Sequence, residues 1–221
     1  MPPLRIATFN IRHGLGMDGR VDLTRIAAVL RATTAEVVIV QEVDRWWTRS
    51  GSVDQPSVLA ELSGLRMSFF PTVVRGESRY GLVLASTEPL EAGAFPLPRL
   101  GSEEPRIFVR ARFGDVTFLG THLSRSAEAR RVQTLALAEE IRTAEGPVVV
   151  AGDLNQGPSK LGPLRAAGLA GLARTLRTHP SIRPRRAIDH VLAGGGADVR
   201  AAWTLPTRSS DHRPLVAEID L

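Results

Sequence analysis

Val148-Val149-Val150-Ala151-Gly152-Asp153-Leu154-Asn155 carries a β-branched apolar run straight into two polar residues. A run this short, bounded by turn-forming residues, reads as a buried strand rather than a helix. Period-two geometry puts Asp153 and Asn155 on the same side if the strand persists through them, so both address one place. A carboxylate and an amide at i and i+2 complement each other, because the carboxylate orients a nucleophile while the amide, which cannot ionise, donates to an anion. Either residue alone is equally readable as a turn cap.

Outward from this run the same pattern recurs. Val116 to Leu123 is a strand bringing His122 to its end, and Arg106 to Phe113 is another before it. Downstream, Ile188 to Ala193 places Asp189 among strand formers, Ala197 to Leu205 follows, and Leu215 to Leu221 closes the chain behind the loop holding Asp211 and His212. Upstream, Leu4 to Arg12 carries Asn10, Val37 to Val43 ends on Gln41 and Glu42, and Tyr80 to Ser86 starts on Tyr80. Between them, Asp22 to Ala32 and Ala127 to Thr143 have apolar residues at helical spacing, and a shorter helix is expected after Pro158. Glu88 to Glu104 is a proline-punctuated connection. Many strands with interspersed helices predict packed sheets flanked by helices, in one domain over residues 1–221.

Composition narrows the chemistry. With no cysteine among 221 residues, disulfides and thiolate ligands are excluded, and a metal must be held by oxygen or imidazole, which favours a hard cation. No apolar run approaches the roughly 20 residues of a membrane span, and Met1 to Leu4 has no signal-like pattern, so a cytoplasmic protein is expected. A net charge of +5 suits a polyanionic partner. It does not single out nucleic acid, since Lys160 is the only lysine, the rest of the basic charge is arginine, and no aromatic-interleaved basic stretch appears. His13, His179 and His190 read as structural or surface histidines. Asp189 within a strand needs a buried partner, which a histidine would supply.

Taken in order, Thr8-Phe9-Asn10, Gln41-Glu42-Val43, Tyr80-Gly81 with Ala85-Ser86, Thr121-His122-Leu123, Gly152-Asp153-Leu154-Asn155, Ile188-Asp189-His190 and Ser209-Ser210-Asp211-His212-Arg213-Pro214 resemble the successive motifs of the endonuclease/exonuclease/phosphatase (deoxyribonuclease I-like) superfamily, in a small bacterial-type form. Each tripeptide is weak; their order over residues 4 to 221 is specific. The resemblance implies a four-layer α/β/β/α sandwich of two mixed β-sheets flanked by helices, with a site where strand-end loops converge. It implies Glu42 as principal magnesium ligand, with Asn10 and Asp211 as direct or water-mediated ligands, and manganese as a substitute. It pairs His212 with Asp189, gives Asp153 and Asn155 the attacking water and a phosphate oxygen, and makes His122 a donor to developing charge. Either Asp153 or His212 takes the proton of the water; the ordinary imidazole pKa favours His212 acting with Asp189, although an imidazole clamped by carboxylates would instead be cationic.

Two departures qualify the transfer: Leu82 stands where members often have Asn, and Ser124 where they often have Asp. The phosphate contact expected from Tyr80 is weakened by the first. The inositol-polyphosphate phosphatase pattern is absent from Ala151 to Gln156 and Arg186 to Val191, and the missing cysteines depart from secreted deoxyribonucleases. The leading functional expectation is a magnesium-dependent, nuclease-like phosphodiesterase. A phosphomonoesterase or phospholipid headgroup hydrolase is the alternative on the same fold, and a noncatalytic module is disfavoured because buried charges without a task are costly. The partner expected is a phosphate-ester substrate, nucleic acid included, with no protein partner. Trp46 and Trp47 follow the Glu42 strand; in an extended loop they point opposite ways, so one ring packs on the body and the other walls the cleft, unless both merely cover the sandwich edge.

Overall fold

The structure, a computed structural model, describes residues 3–172 and 176–221; Met1 and Pro2 of the opening segment lie outside them. In chain order the strands are β1 (Leu4–Asn10), β2 (Val37–Arg45), β3 (Arg66–Arg75), β4 (Ser78–Ser86), β5 (Ala92–Pro96) and β6 (Ile107–Phe113), then β7 (Val116–His122), β8 (Val148–Asp153), β9 (Asp189–Gly194), β10 (Asp198–Thr204) and β11 (Leu215–Asp220). They form a six-stranded sheet, β10-β11-β1-β2-β4-β3, and a five-stranded sheet, β5-β6-β7-β8-β9. Both are mixed: β1 runs parallel to β2 and β7 to β8, while the other pairs are antiparallel.

Ile6, Ile39 and Leu84 from the first sheet meet Phe118, Val149 and Val191 from the second in one buried cluster between them. The outer faces are covered by helices. Helix α1 (Leu23–Thr33) lays Ile26 and Leu30, and α2 (Gln55–Ser63) lays Leu59, against Phe9, Val38 and Val40. Helix α3 (Ala127–Thr143) lays Leu137 and Ile141, and α4 (Gly162–Ala166) lays Leu164, against Leu119 and Val150. The chain is therefore the four-layer α/β/β/α sandwich. Strands β2, β4, β7, β8 and β9 are buried along nearly their whole length rather than alternately, because each sheet has two apolar faces to cover.

Several local expectations are corrected. β3 and β5 are absent from the strands expected from sequence, and β5 lies inside Glu88 to Glu104, where a connection is expected. Both are edge strands, where proline is tolerated, and the register of β3 shifts between Pro71 and Val73. Helix α2 was missed as well; Asp54 caps it, accepting from the Ser57 N–H, and Pro56 sits in its first turn. Strand β1 stops at Asn10, where Arg12 and His13 turn left-handed. Strand β8 stops at Asp153, and Asn155 has φ 52, so the strand does not persist to put Asp153 and Asn155 on one face.

Candidate active site

Across β7, β8 and β9, hydrogen-bonding register aligns His122, Asp153 and Asp189 in one row. The close approach of β7 and β8 depends on Gly152, where an added Cβ would lie 2.1 Å from the Thr121 carbonyl oxygen. His122 Nε2 consequently lies 3.4 Å from Asp153 Oδ2. The loop before β11 brings His212 over this row, its Nδ1 2.9 Å from Asp189 Oδ2 and its Nε2 3.8 Å from Asp153 Oδ2. Ser210 fixes that loop, donating to the Asn10 carbonyl at 2.7 Å and accepting from the His212 N–H at 3.2 Å. Thr178 donates to the Asp189 carboxylate as well.

The other sheet supplies Asn10 and Glu42. The Asn10 amide nitrogen donates to Glu42 Oε1 at 2.9 Å and to Asp153 Oδ2 at 3.1 Å, while its oxygen accepts from the Arg12 N–H at 3.0 Å. Glu42 sits at a bulge: the pairing of β2 with β4 shifts between Val40 and Val43, and Glu42 has φ 59. Bulges of this kind re-aim a side chain, here toward the cleft. That cleft, of about 630 Å³, is also lined by His122, Tyr80, Trp47 and Arg49.

Protonation follows from these contacts. Burial opposes charging His212, but the adjoining Asp189, then Asp153 and Asp211, outweigh it and raise the imidazole to about 10. Burial, then the charge of Asp189, pushes Asp153 above the usual carboxylate range, with His212 and Asn10 opposing. Burial holds His122 well below its ordinary value, with the nearby Arg106 adding to the effect, so it is neutral. Two clusters among the described residues bring three ligand atoms close enough for a metal: Asp153, Asp189 and His212, and His179, Asp211 and His212. Glu42 belongs to neither.

The residues matched by the model of the Endonuclease/Exonuclease/phosphatase family are 7–212. The chain belongs to this family. An endonuclease/exonuclease/phosphatase from Beutenbergia cavernae DSM 12333 is 27% identical with TM-score 0.81, covering 100% of this chain and 72% of that one. A mannosyl-6-phosphatase of Bacteroides thetaiotaomicron VPI-5482 is similar in fold, with TM-score 0.79 at 17% identity over 99% of this chain and 100% of that one. So is the human nocturnin catalytic domain, with TM-score 0.73 at 19% identity over 99% and 94%. No curated protein matches the chain. The endonuclease/exonuclease/phosphatase family is one of metal-dependent phosphoric ester hydrolases, and this protein is an enzyme of that class.

Of the family residues expected from sequence, Asn10, Glu42, His122, Asp153, Asp189 and His212 are linked by the contacts above. Asp211 stands at the rim, its Oδ2 3.8 Å from Arg12 Nε and 3.9 Å from His179 Nε2. Asn155 keeps its backbone N–H on Asp153 Oδ1 at 2.9 Å, but its amide donates to the Leu123 carbonyl at 3.0 Å. Trp46 is 42% exposed under the Arg45 guanidinium, whereas the half-buried Trp47 meets the Tyr80 ring edge-on in the cleft.

His179, expected from sequence to be structural or at the surface, instead has its ring 4.8 Å from that of His212. No local sequence signal marks it; only the chain reversal before β9 brings it there. Arg49 went unnoticed too. The fully buried Asp44 is its signal, because a carboxylate in a strand requires a partner. Arg49 supplies it through Nε at 2.8 Å and Nη2 at 2.7 Å.

The donors present fit a hard cation. Asp211 offers a carboxylate oxygen within the cluster of His179 and His212, and Glu42 offers one held by Asn10; the chain has no thiolate, and magnesium needs only one or two carboxylates besides water and substrate. Asn10 turns its nitrogen, not its oxygen, to the carboxylates, which suits orienting Glu42 better than ligating directly.

Proposed function

We propose that the protein is a magnesium-dependent phosphodiesterase, nucleic acid included among its substrates, cleaving a phosphate ester by in-line attack of water, with residues 1–221 acting as one catalytic domain. The observation that carries this reading is the row His122, Asp153, Asp189 closed over by His212 and tied by Asn10 to Glu42. A buried carboxylate with a raised pKa, beside two imidazoles, is suited to accept a proton from water near neutral pH. Asp153 is that base. His212, already protonated between Asp189 and Asp153, donates from Nε2 to a phosphoryl oxygen and offsets its growing charge. This exchanges the roles favoured from sequence, because a protonated imidazole cannot take the proton of the water.

His122, neutral and with its Nε2 3.4 Å from Asp153 Oδ2, has a single N–H, which orients that carboxylate. Asp189 accepts from Nδ1 of the His212 imidazolium, which holds the ring in orientation and keeps it charged. Glu42 and Asp211 would hold the cation, which when bound neutralises charge on the phosphoryl and leaving oxygens, with manganese as a substitute. The test is a magnesium-dependent panel of bis-p-nitrophenyl phosphate, p-nitrophenyl phosphate, plasmid, abasic duplex, single-stranded RNA and sphingomyelin. Faster hydrolysis of the diester than of p-nitrophenyl phosphate is expected. Preference for the monoester defeats the diesterase assignment, and no turnover of any ester with magnesium or manganese defeats the reading as a whole.

A further inference from the structure

Six arginines, Arg12, Arg49, Arg75, Arg99, Arg106 and Arg125, line the cleft that also contains Glu42 and His122; the only other acid on its wall is Glu104. Glu104 is committed to Arg106 at 3.1 Å. Arg75, Arg99 and Arg125 form no ion pair among the described residues. Arg12 and Arg49 are paired with Asp211 and Asp44, so three guanidiniums stand unpaired around the cleft, more than one scissile phosphate requires. Like charges gathered in a cleft repel one another unless an anion enters between them.

Arg49 is fixed in place. Its Nε and Nη2 edge is held bidentately by the fully buried Asp44, which also accepts from the Ser50 hydroxyl at 2.8 Å. Its outer Nη1 makes no hydrogen bond among the described residues. The guanidinium lies over the rings of Trp47, 4.7 Å from the centroid, and Tyr80, 5.3 Å away; Arg75 lies over Trp47 at 5.9 Å. The Trp47 ring is thus engaged by guanidiniums, leaving them to meet the substrate. A guanidinium oriented beforehand on a rigid ring loses little freedom on binding, and its planar fork matches phosphate.

We infer that Arg49 and Arg75, held on Trp47, form a subsite for a second phosphate, so the preferred substrate carries one phosphate group beyond the scissile one. This rests on the phosphoesterase reading and narrows its substrate class. The second phosphate belongs either to a bisphosphorylated small molecule or to a neighbouring unit of a polynucleotide backbone, both of which present the same anionic oxygens.

Calorimetric binding in EDTA separates the subsite from turnover. Adenosine 3′,5′-bisphosphate is expected to bind wild type about tenfold tighter than adenosine 5′-monophosphate, as one added charge-assisted contact gives. Arg75→Met, at an exposed residue with no partner to orphan, and Arg49→Met are each expected to shrink that ratio toward one. A hexathymidylate arm identifies the source: affinity lost in parallel points to a backbone, and unchanged affinity to a small bisphosphate. Equal binding of the two adenosine phosphates to wild type, or a ratio intact in folded Arg75→Met, overturns the subsite. Hydrolysis of bis-p-nitrophenyl phosphate by wild type is scored separately, so failure of the subsite and failure of the enzymatic reading are distinguishable.

Discussion

The Asn10 amide reaches across the gap between the two sheets to donate to Asp153 Oδ2 at 3.1 Å, while holding Glu42 at 2.9 Å on its own sheet. One side chain therefore sets the spacing between the cation-binding side and the proton-accepting side. Asn10→Ala is expected to lower kcat and raise the magnesium requirement together, by about tenfold or more, as loss of outer-sphere support does at metal sites. A magnesium titration of turnover checks this; an unchanged half-saturating magnesium concentration removes Asn10 from that role.

Glu42 carries the heavier share of the cation. Glu42→Ala is expected to abolish rescue at moderate magnesium, since a sparse protein ligand set depends on each carboxylate. Turnover that persists undiminished in EDTA would overturn metal dependence itself.

For the proton-transfer cluster, Asp153→Asn and His212→Ala are each expected to lower kcat at least about a hundredfold, the range for loss of an acid, base or positioning group. Circular dichroism should show both folded. If either variant turns over near the wild-type rate, that residue has no place in the chemistry.

The two tryptophans separate wall from surface. Trp47→Ala, which removes the ring that seats Arg49 and Arg75, is expected to raise KM about tenfold with kcat little changed, the signature of lost uniform binding. Trp46→Ala, lying outside the cleft, should leave KM alone. A fall in melting temperature for both, with KM at wild type, would show that the rings only cover the sandwich edge.

Buried histidines give opposite pH dependences. His190 is buried, its Nε2 facing the Gln156 carbonyl oxygen at 2.8 Å, and burial lowers its pKa. The unfolded chain binds its proton first, so the contribution of neutral His190 is present above pH 6.5 and lost below it. His212, raised to about 10, contributes fully below 6.5 and loses this as pH rises toward 10. In EDTA, the melting-temperature advantage of wild type over His190→Gln should shrink on acidification. That over His212→Gln should shrink on alkalinisation. Parallel curves for wild type and variant sink the corresponding assignment.

Sequence reading reached the site better than the sheet edges. Asn10, His122, Asp153 and Asp189 lie at strand ends and His212 in the last loop, within ordered motifs; Glu42, expected to end its strand, instead sits at a bulge inside β2, which runs on to Arg45. β3 and β5 escaped because edge strands need bury only one face and tolerate proline. The Asn155 orientation escaped because a single left-handed residue reverses the period-two rule without altering composition. His179 and Arg49 escaped for a different reason: the significance of each lies in a contact, with His212 or with Asp44, that only tertiary structure creates.

The row His122, Asp153, Asp189 belongs wholly to the second sheet, and Asn10 with Glu42 wholly to the first. Neither half holds the full set of charges while the sheets are apart. Crowding those carboxylates out of water is unfavourable, and the apolar interface of Ile39, Leu84, Phe118 and Val149 supplies the opposing drive as the faces close. Competence is therefore a property of the seam rather than of either wall: a change that parts Ile39 and Leu84 from Phe118 and Val149 would separate the two halves of the site while leaving each sheet its own hydrogen bonds.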